Sequence, residues 1–255
     1  MRGLRDKTAV VTGGGAGIGR AIVRRFTEEG TKLAIFDINA DAAREAAEEA
    51  RAAGGTAEAC AVDITDYDAV AKAVAQTEKA LGPIDILVNN AGWDMFKPFV
   101  ATDRDFWQKI ISINLVGALN LHHCVLPLMI SRGGGKVVNV ASDAGRVGSS
   151  GEAVYSACKG GLIAFTKTVA RETASKGVRL NVVCPGLTET NMLAEFMKGA
   201  GNPDKLAEAY RRAIPVGRLG KPEDLPGAIL FLASADADFI TGQVISVSGG
   251  LTMHG

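Results

Sequence analysis

Little in this chain favours a charged or aromatic binding surface. Aromatic residues make up 5% of it, and 28 lysines and arginines are matched by 28 aspartates and glutamates. With no basic run and no basic stripe interleaved with aromatics, neither nucleic acid nor an anionic membrane surface is an expected partner. Histidine is rarer still. His122, His123 and His254 have no ligand spacing, and adjacent side chains point apart on a helix, so no metal site is expected and His122-His123 reads as structural or partner-facing. Cys60, Cys124, Cys158 and Cys184 are widely spaced within core-like segments, which fits reduced thiols better than disulfides or zinc. No apolar run approaches the roughly twenty residues that span a bilayer. The first strand-like run begins at Lys7, too early for the apolar region of a signal peptide. A cytoplasmic protein is expected.

Linkers are missing as well. No Pro/Ser-rich stretch, internal repeat or low-complexity tract interrupts the chain, so residues 1–255 read as one domain. Apolar strand-like runs alternate with helical patterns throughout: Thr8 to Thr12, Leu33 to Asp37, Thr56 to Val62, Ile84 to Val88, Lys136 to Val140, Arg179 to Cys184 and Gln243 to Val247. Continuous rather than alternating apolar strands, each followed by a helix, predict an α/β fold: a doubly wound parallel sheet of the Rossmann type, about seven strands with helices on both faces.

What the chain does have is glycine in a telling place. The run Lys7 to Thr12 leads straight into Gly13-Gly-Gly-Ala-Gly17-Ile-Gly19, and a helical pattern from Arg20 to Glu29 follows. Strand, glycine turn and helix together let backbone N–H groups and the positive helix end meet a pyrophosphate. The next strand ends at Asp37, about twenty residues on, where a carboxylate accepts from ribose hydroxyls and repels a 2′-phosphate. No Arg or Lys lies between Gly13 and Gly19, and Ile38 follows Asp37. NAD is therefore the expected cofactor, ahead of NADP.

A second motif carries the chemistry. Tyr155 and Lys159 are spaced to share a helix face, and a cation near a phenol lowers its pKa from about 10 toward the working range. Ser142 closes the strand-like run before that helix, across a Gly/Ser-rich loop, where its hydroxyl can bond the oxygen that the tyrosine protonates.

On these motifs the chain resembles the short-chain dehydrogenase/reductase family, single-domain branch, from Lys7 to the carboxyl terminus. The resemblance implies a catalytic set of Asn114, Ser142, Tyr155 and Lys159. It implies cofactor contacts from Gly13, Gly17, Ile18, Gly19, Asp37, Asp63, Ile64, Asn90, Ala91, Gly92, Tyr155, Lys159, Pro185, Gly186, Thr188 and Thr190, with a substrate lid near 188–215. Lys159 would also grip the nicotinamide ribose, and Asn114 would hold a water joining Lys159 to solvent. The family usually assembles as homotetramers through its long central helices, its final strand and its tail. Here that implicates Leu115, Leu119 and Leu126 and the end Gly249 to Gly255.

At a finer level, Trp93 to Phe99, Ala141 to Tyr155 and Phe239 to Met253 look like the 2-hydroxycyclohexanecarboxyl-CoA dehydrogenases of aromatic and alicyclic acid degradation. That implies oxidation of a cyclic β-hydroxyacyl-CoA. Relatives in that subgroup accepting 1-arylethanols, cyclohexanols or acetoacetyl-CoA supply the alternative. Trp93, Phe96, Met192 and Phe196 are candidates for an apolar pocket. Lys97, Arg146 and Arg211-Arg212 are candidates for CoA phosphates. Asp143, Arg146 and Glu152 border the catalytic pair, either as an ion pair shaping the loop or with Arg146 meeting an anionic substrate group. An NAD-binding regulator would use the same glycine turn but has no need of an intact Ser142, Tyr155 and Lys159, so an enzyme is the better reading. An enoyl-thioester reductase of the divergent branch would space its tyrosine and lysine more widely.

Overall fold

The central strands are buried on both faces because their side chains alternate between two separate cores. On β1 (Thr8–Thr12), Ala9 and Val11 face one side and Val10 the other. The first core holds Ile35 of β2 (Lys32–Asp37) and Val88 of β4 (Ile84–Asn89). It packs against Ile22 and Phe26 of α1 (Gly17–Glu28), the alanine face of α2 (Ala40–Ala52), and Ile229 and Leu230 of α10 (Pro226–Ala233). The second core holds Phe36 and Leu87. Against them lie Val70 and Val74 of α3 (Tyr67–Leu81), Leu121 and Val125 of α5 (Gly117–Ser131), and Val169 of α7 (Ala153–Thr173). Truncating a fully buried residue such as Phe26 to alanine would cost about 3–5 kcal/mol.

In this computed structural model, which describes residues 1–198 and 203–253, the strands form one parallel seven-stranded sheet. β3 (Ala57–Ala61), β5 (Gly135–Val140), β6 (Val178–Pro185) and β7 (Val244–Val247) complete the order β3-β2-β1-β4-β5-β6-β7. The order reverses between β1 and β4, and ligands of such sheets bind outside the carboxyl ends of the strands at that point. The expected strands are all present within a few residues. β3 is shorter than the run Thr56 to Val62, yet its flanks still bond: Leu33 N donates to Thr56 O at 2.8 Å and Val62 N to Asp37 O at 2.9 Å.

One continuous helical stretch runs from α4 (Arg104–Ile111) through a π-helical turn (Ser112–Val116) into α5. The stretch Arg104–Ser131 is long and apolar enough by composition to cross a membrane, contrary to the expectation that no such run exists. Its apolar residues serve the fold instead: Leu121, Val125 and Met129 are fully buried in the second core. The remaining helices are α6 (Ala144–Val147), α8 (Asn191–Lys198) and α9 (Pro203–Ala213).

His122 shows what the polar interior does. Its Nδ1 lies 2.6 Å from Ala118 O and its Nε2 3.2 Å from Asn139 Nδ2, so a neutral ring protonated at Nδ1 satisfies both neighbours. Asn139 also donates to Thr166 Oγ1 at 2.8 Å and accepts from Asn89 Nδ2 at 2.9 Å. Burial holds His122 well below its usual value, at about 4. His123 points the other way, exposed, with its Nδ1 2.7 Å from the Tyr67 hydroxyl, so the pair is split as expected.

Candidate active site

The carboxyl ends of β1, β2, β4, β5 and β6 meet in one cleft, and the candidate residues lie along it. The glycine turn after β1 is tightly built. Gly13 has φ +62°, and a Cβ on Gly19 would stand 1.9 Å from Gly13 O, so no larger residue fits there. Thr12 Oγ1 accepts from both Asn90 N and Ala91 N at 3.0 Å, and Asn90 Nδ2 donates to Thr12 O at 3.0 Å. These bonds stitch the glycine turn to the loop after β4 across the switch point. Asp37 closes the other side, accepting from Gly15 N at 3.0 Å and Asn39 N at 2.9 Å.

The helix that follows the turn differs from the next three. α2, α3 and α4 begin with side-chain caps from Asn39, Asp66 and Asp103. α1 follows Ala16, which offers no side-chain cap, and has no acid in its first turn, which leaves its first N–H groups for an anion. Gly17 lies opposite Thr190, with a Cβ built on it 3.8 Å from Thr190 Cγ2. Ile18 packs part of its side chain on the first core. The rest of the expected nicotinamide side is compact: Thr188 donates to Gly186 O at 3.0 Å, and Gly186 N bonds Val247 O at 3.1 Å, holding the chain after Pro185 against β7. On the adenine side, Asp63 accepts from Thr65 N and Oγ1 at 2.9 and 2.8 Å, and Ile64 lies over Gly117. A dinucleotide with its pyrophosphate on α1 suits these residues, and a Cβ on Gly92 would fill a cradle 2.9 Å from Asn114 Oδ1 and 3.4 Å from Lys159 Nζ.

The catalytic candidates come together. Lys159 is buried and donates to Val140 O at 3.0 Å, with Nζ 5.5 Å from the centre of the Tyr155 ring one helical turn away. The Tyr155 phenol bonds Ser142, whose Oγ is steadied by Ala144 N at 3.1 Å. The π-helical turn carries the buried Asn114 to the loop after β4. There Asn114 donates to Trp93 O at 2.6 Å and to Ile110 O at 3.0 Å, while its Oδ1 accepts from Trp93 N at 3.2 Å. Its amide therefore clamps the loop from which Gly92 faces Lys159.

Electrostatics correct one expectation. The phenol is not drawn down by Lys159. Burial raises it above its ordinary value, the charges of Glu152 and Asp94 raise it further, and the Ser142 bond offsets this only in part. Burial in turn pulls Lys159 down to about 8. Tyr155 is thus kept protonated by its surroundings, an acid suited to donating toward a carbonyl oxygen.

Beside Tyr155 lies a cavity lined by Asp94, Lys97, Phe99, Thr102, Phe106 and Glu152. Its aromatic walls are Phe99 and Phe106, not the expected Trp93. That indole packs edge-on to Phe106 at 6.4 Å and carries Lys109 Nζ 3.7 Å over its face. Phe96 lies against Gly151 and Met192 is exposed, while the side chain of Phe196 and the end His254–Gly255 fall outside the described residues. Ser246 joins Asp143 to Arg146: it donates to Asp143 Oδ1 and accepts from Arg146 Nη1 at 2.7 Å. Arg211 and Arg212 pair with Glu208, and Lys97 is the phosphate candidate that lines the cavity. Glu152 turns to Asp94, a pairing the sequence reading missed. Its signal was an acid two residues past Asn90-Ala91-Gly92 and another three before Tyr155.

Comparison with known proteins agrees with this geometry. Residues 13–252 match the family described as Enoyl-(Acyl carrier protein) reductase. The 3-oxoacyl-(acyl-carrier-protein) reductase of Thermotoga maritima is 37% identical over 98% of this chain and 99% of its own. The acetoacetyl-CoA reductase of Shinella zoogloeoides is 40% identical over 96% and 98%. A crystal structure described as a short-chain dehydrogenase/reductase from Burkholderia xenovorans superposes with a TM-score of 0.93 at 38% identity, covering 97% of both chains. Fold, cleft and relatives define a nicotinamide-dependent oxidoreductase of CH–OH and ketone groups. The chain belongs to the short-chain dehydrogenase/reductase family.

Proposed function

We propose that this enzyme interconverts a 3-oxoacyl thioester and the corresponding secondary alcohol with NAD(H). The observation that carries the reading is the bonded set Ser142–Tyr155 with Lys159 one turn away, opening on a cavity walled by Phe99 and Phe106. The bound nicotinamide supplies the hydride chemistry. Tyr155 donates its proton to the carbonyl oxygen during reduction and recovers it from the alcohol during oxidation. Ser142 bonds the same oxygen and favours its alkoxide character. Lys159, between Val140 O and the Gly92 cradle, is positioned to hold the ribose and to restore the tyrosine proton, with Asn114 ordering the loop beside it.

Two relatives named for 3-oxoacyl and acetoacetyl thioesters support an acyl thioester over a simple alcohol. The local likeness to 2-hydroxycyclohexanecarboxyl-CoA dehydrogenases supports a cyclic β-hydroxyacyl-CoA within that class. The Asp37 carboxylate at the end of β2, with no basic neighbour in the glycine turn, supports NAD over NADP. The helices α8 and α9 suit the substrate lid expected near 188–215, of which 199–202 lie outside the described residues. The half-buried Leu115, Leu119 and Leu126 and the partly exposed β7 suit interfaces in a homotetramer, whose mass light scattering would report.

The test is a panel of acetoacetyl-CoA, 2-oxocyclohexanecarboxyl-CoA, acetophenone and cyclohexanone with NADH and NADPH. The highest kcat/KM is expected for a thioester with NADH. Efficient reduction of the simple ketones with no thioester turnover would overturn the reading.

A further inference from the structure

Asp94 and Glu152 come from different loops and are fastened face to face beside Tyr155. Asp94 follows Asn90-Ala91-Gly92, and Glu152 immediately precedes α7. Lys97 N donates to Gly151 O at 2.9 Å, and the Phe96 ring lies so close over Gly151 that an added Cβ would stand 2.3 Å from a ring carbon. With the loops closed in this way, the two half-buried acids share a hydrogen bond and line the same cavity as Tyr155.

Two carboxylates in bonding contact resist ionising together. Burial raises the Asp94 carboxyl to about 7, Glu152 adds to the rise, and Lys159 opposes it. Tyr155, Cys158 and Tyr210 also sense the pair, and Lys97 lines the same wall. The pair therefore places acidic charge next to the atom that must receive a proton from Tyr155, with the Asp94 carboxyl holding its proton to a higher pH than an ordinary carboxylate.

We infer that the Asp94–Glu152 pair is a specificity determinant that rejects anions: the cavity admits a ketone whose neighbouring group is uncharged, a thioester, ester or amide, and turns away the free oxo acid. This rests on the proposed reduction of 3-oxoacyl thioesters and explains how the same reactive ketone is accepted in one form and refused in the other. A substrate carboxylate about 5 Å from one net charge, at an effective dielectric constant of about 20, loses on the order of a hundredfold in affinity. A neutral thioester feels no such repulsion.

The experiment compares ethyl acetoacetate with acetoacetate, a neutral and an anionic form of one ketone. Both kcat/KM and binding to the enzyme–NADH complex, followed by NADH fluorescence, are measured for the wild type, Asp94→Asn and the double variant Asp94→Asn/Glu152→Gln, which alone leaves no carboxyl at the pair. The wild type is expected to favour the ester by about a hundredfold, and the variant that carries neither carboxyl to lower that ratio by about tenfold or more. The wild-type ratio should also narrow as the pH falls through about 7 and the Asp94 carboxyl takes up its proton, and the Asp94→Asn ratio should vary less with pH. A purely structural role would depress both ligands together and leave the ratio unchanged. An equal ratio in all three proteins, or no preference in the wild type, overturns the inference. If acetoacetyl-CoA is not reduced yet the binding ratio behaves as stated, the thioester reading fails and the inference stands.

Discussion

The two sides of the cleft solve opposite problems. On the dinucleotide side, polar groups are met by nearby backbone: Asp37 by Gly15 and Asn39, Asp63 by Thr65, Thr12 by Asn90 and Ala91. On the catalytic side, titratable groups crowd into a buried space, where burial raises Tyr155 and Asp94 and lowers Lys159 to about 8. The first side is a preformed cradle that holds a ligand with little rearrangement. The second keeps protons where their free-solution values would not, as proton transfer near neutral pH requires.

The contrast can be broken most severely at Tyr155. Tyr155→Phe keeps the ring and removes the proton, so turnover should fall at least about a hundredfold, while NADH binding, read by fluorescence titration, stays near wild type. A folded variant with near-normal turnover would refute the assignment.

A smaller effect tests whether the buried polar interior behaves as burial dictates. His122 lies near 4 in the folded protein against 6.5 ordinarily. Below pH 6.5 the unfolded chain takes up a proton that the folded chain refuses, so stability present above that pH is lost on acidification, the loss being complete below about pH 4. The full loss is about 3 kcal/mol. Denaturant titrations across this window should show it, and His122→Gln, which cannot titrate, should flatten that part of the profile. An unaltered acid slope in the variant would place the effect elsewhere.

The mildest change belongs to the cradle. Asp37→Ala should shift the NADH to NADPH preference by about tenfold toward NADPH, the size of one charge-assisted hydrogen bond. A wild-type enzyme that already prefers NADPH would mean that the carboxylate does not select the cofactor.

Much of this was legible in the sequence because it depends on short-range pattern. Continuous apolar runs such as Thr8–Thr12 can be buried only with both faces covered, the glycine turn admits no Cβ at Gly19, and the spacing of Tyr155 and Lys159 puts them on one helix face whatever surrounds them. Local pattern therefore carries the doubly wound order of elements, the dinucleotide turn and the candidate catalytic side chains.

Their energetics and neighbours follow from the folded packing. Asp94 and Glu152 are far apart in the chain and meet because Lys97 and Gly151 join their loops. Burial, together with that meeting, turns the Tyr155 shift upward, opposite to the expected direction. Trp93 left the pocket for Lys109 and Phe106, and the apolar stretch Arg104–Ser131 became a core helix because the sheet offered it a face. Desolvation and charge coupling depend on three-dimensional distance, which sequence spacing does not encode once two loops are brought together.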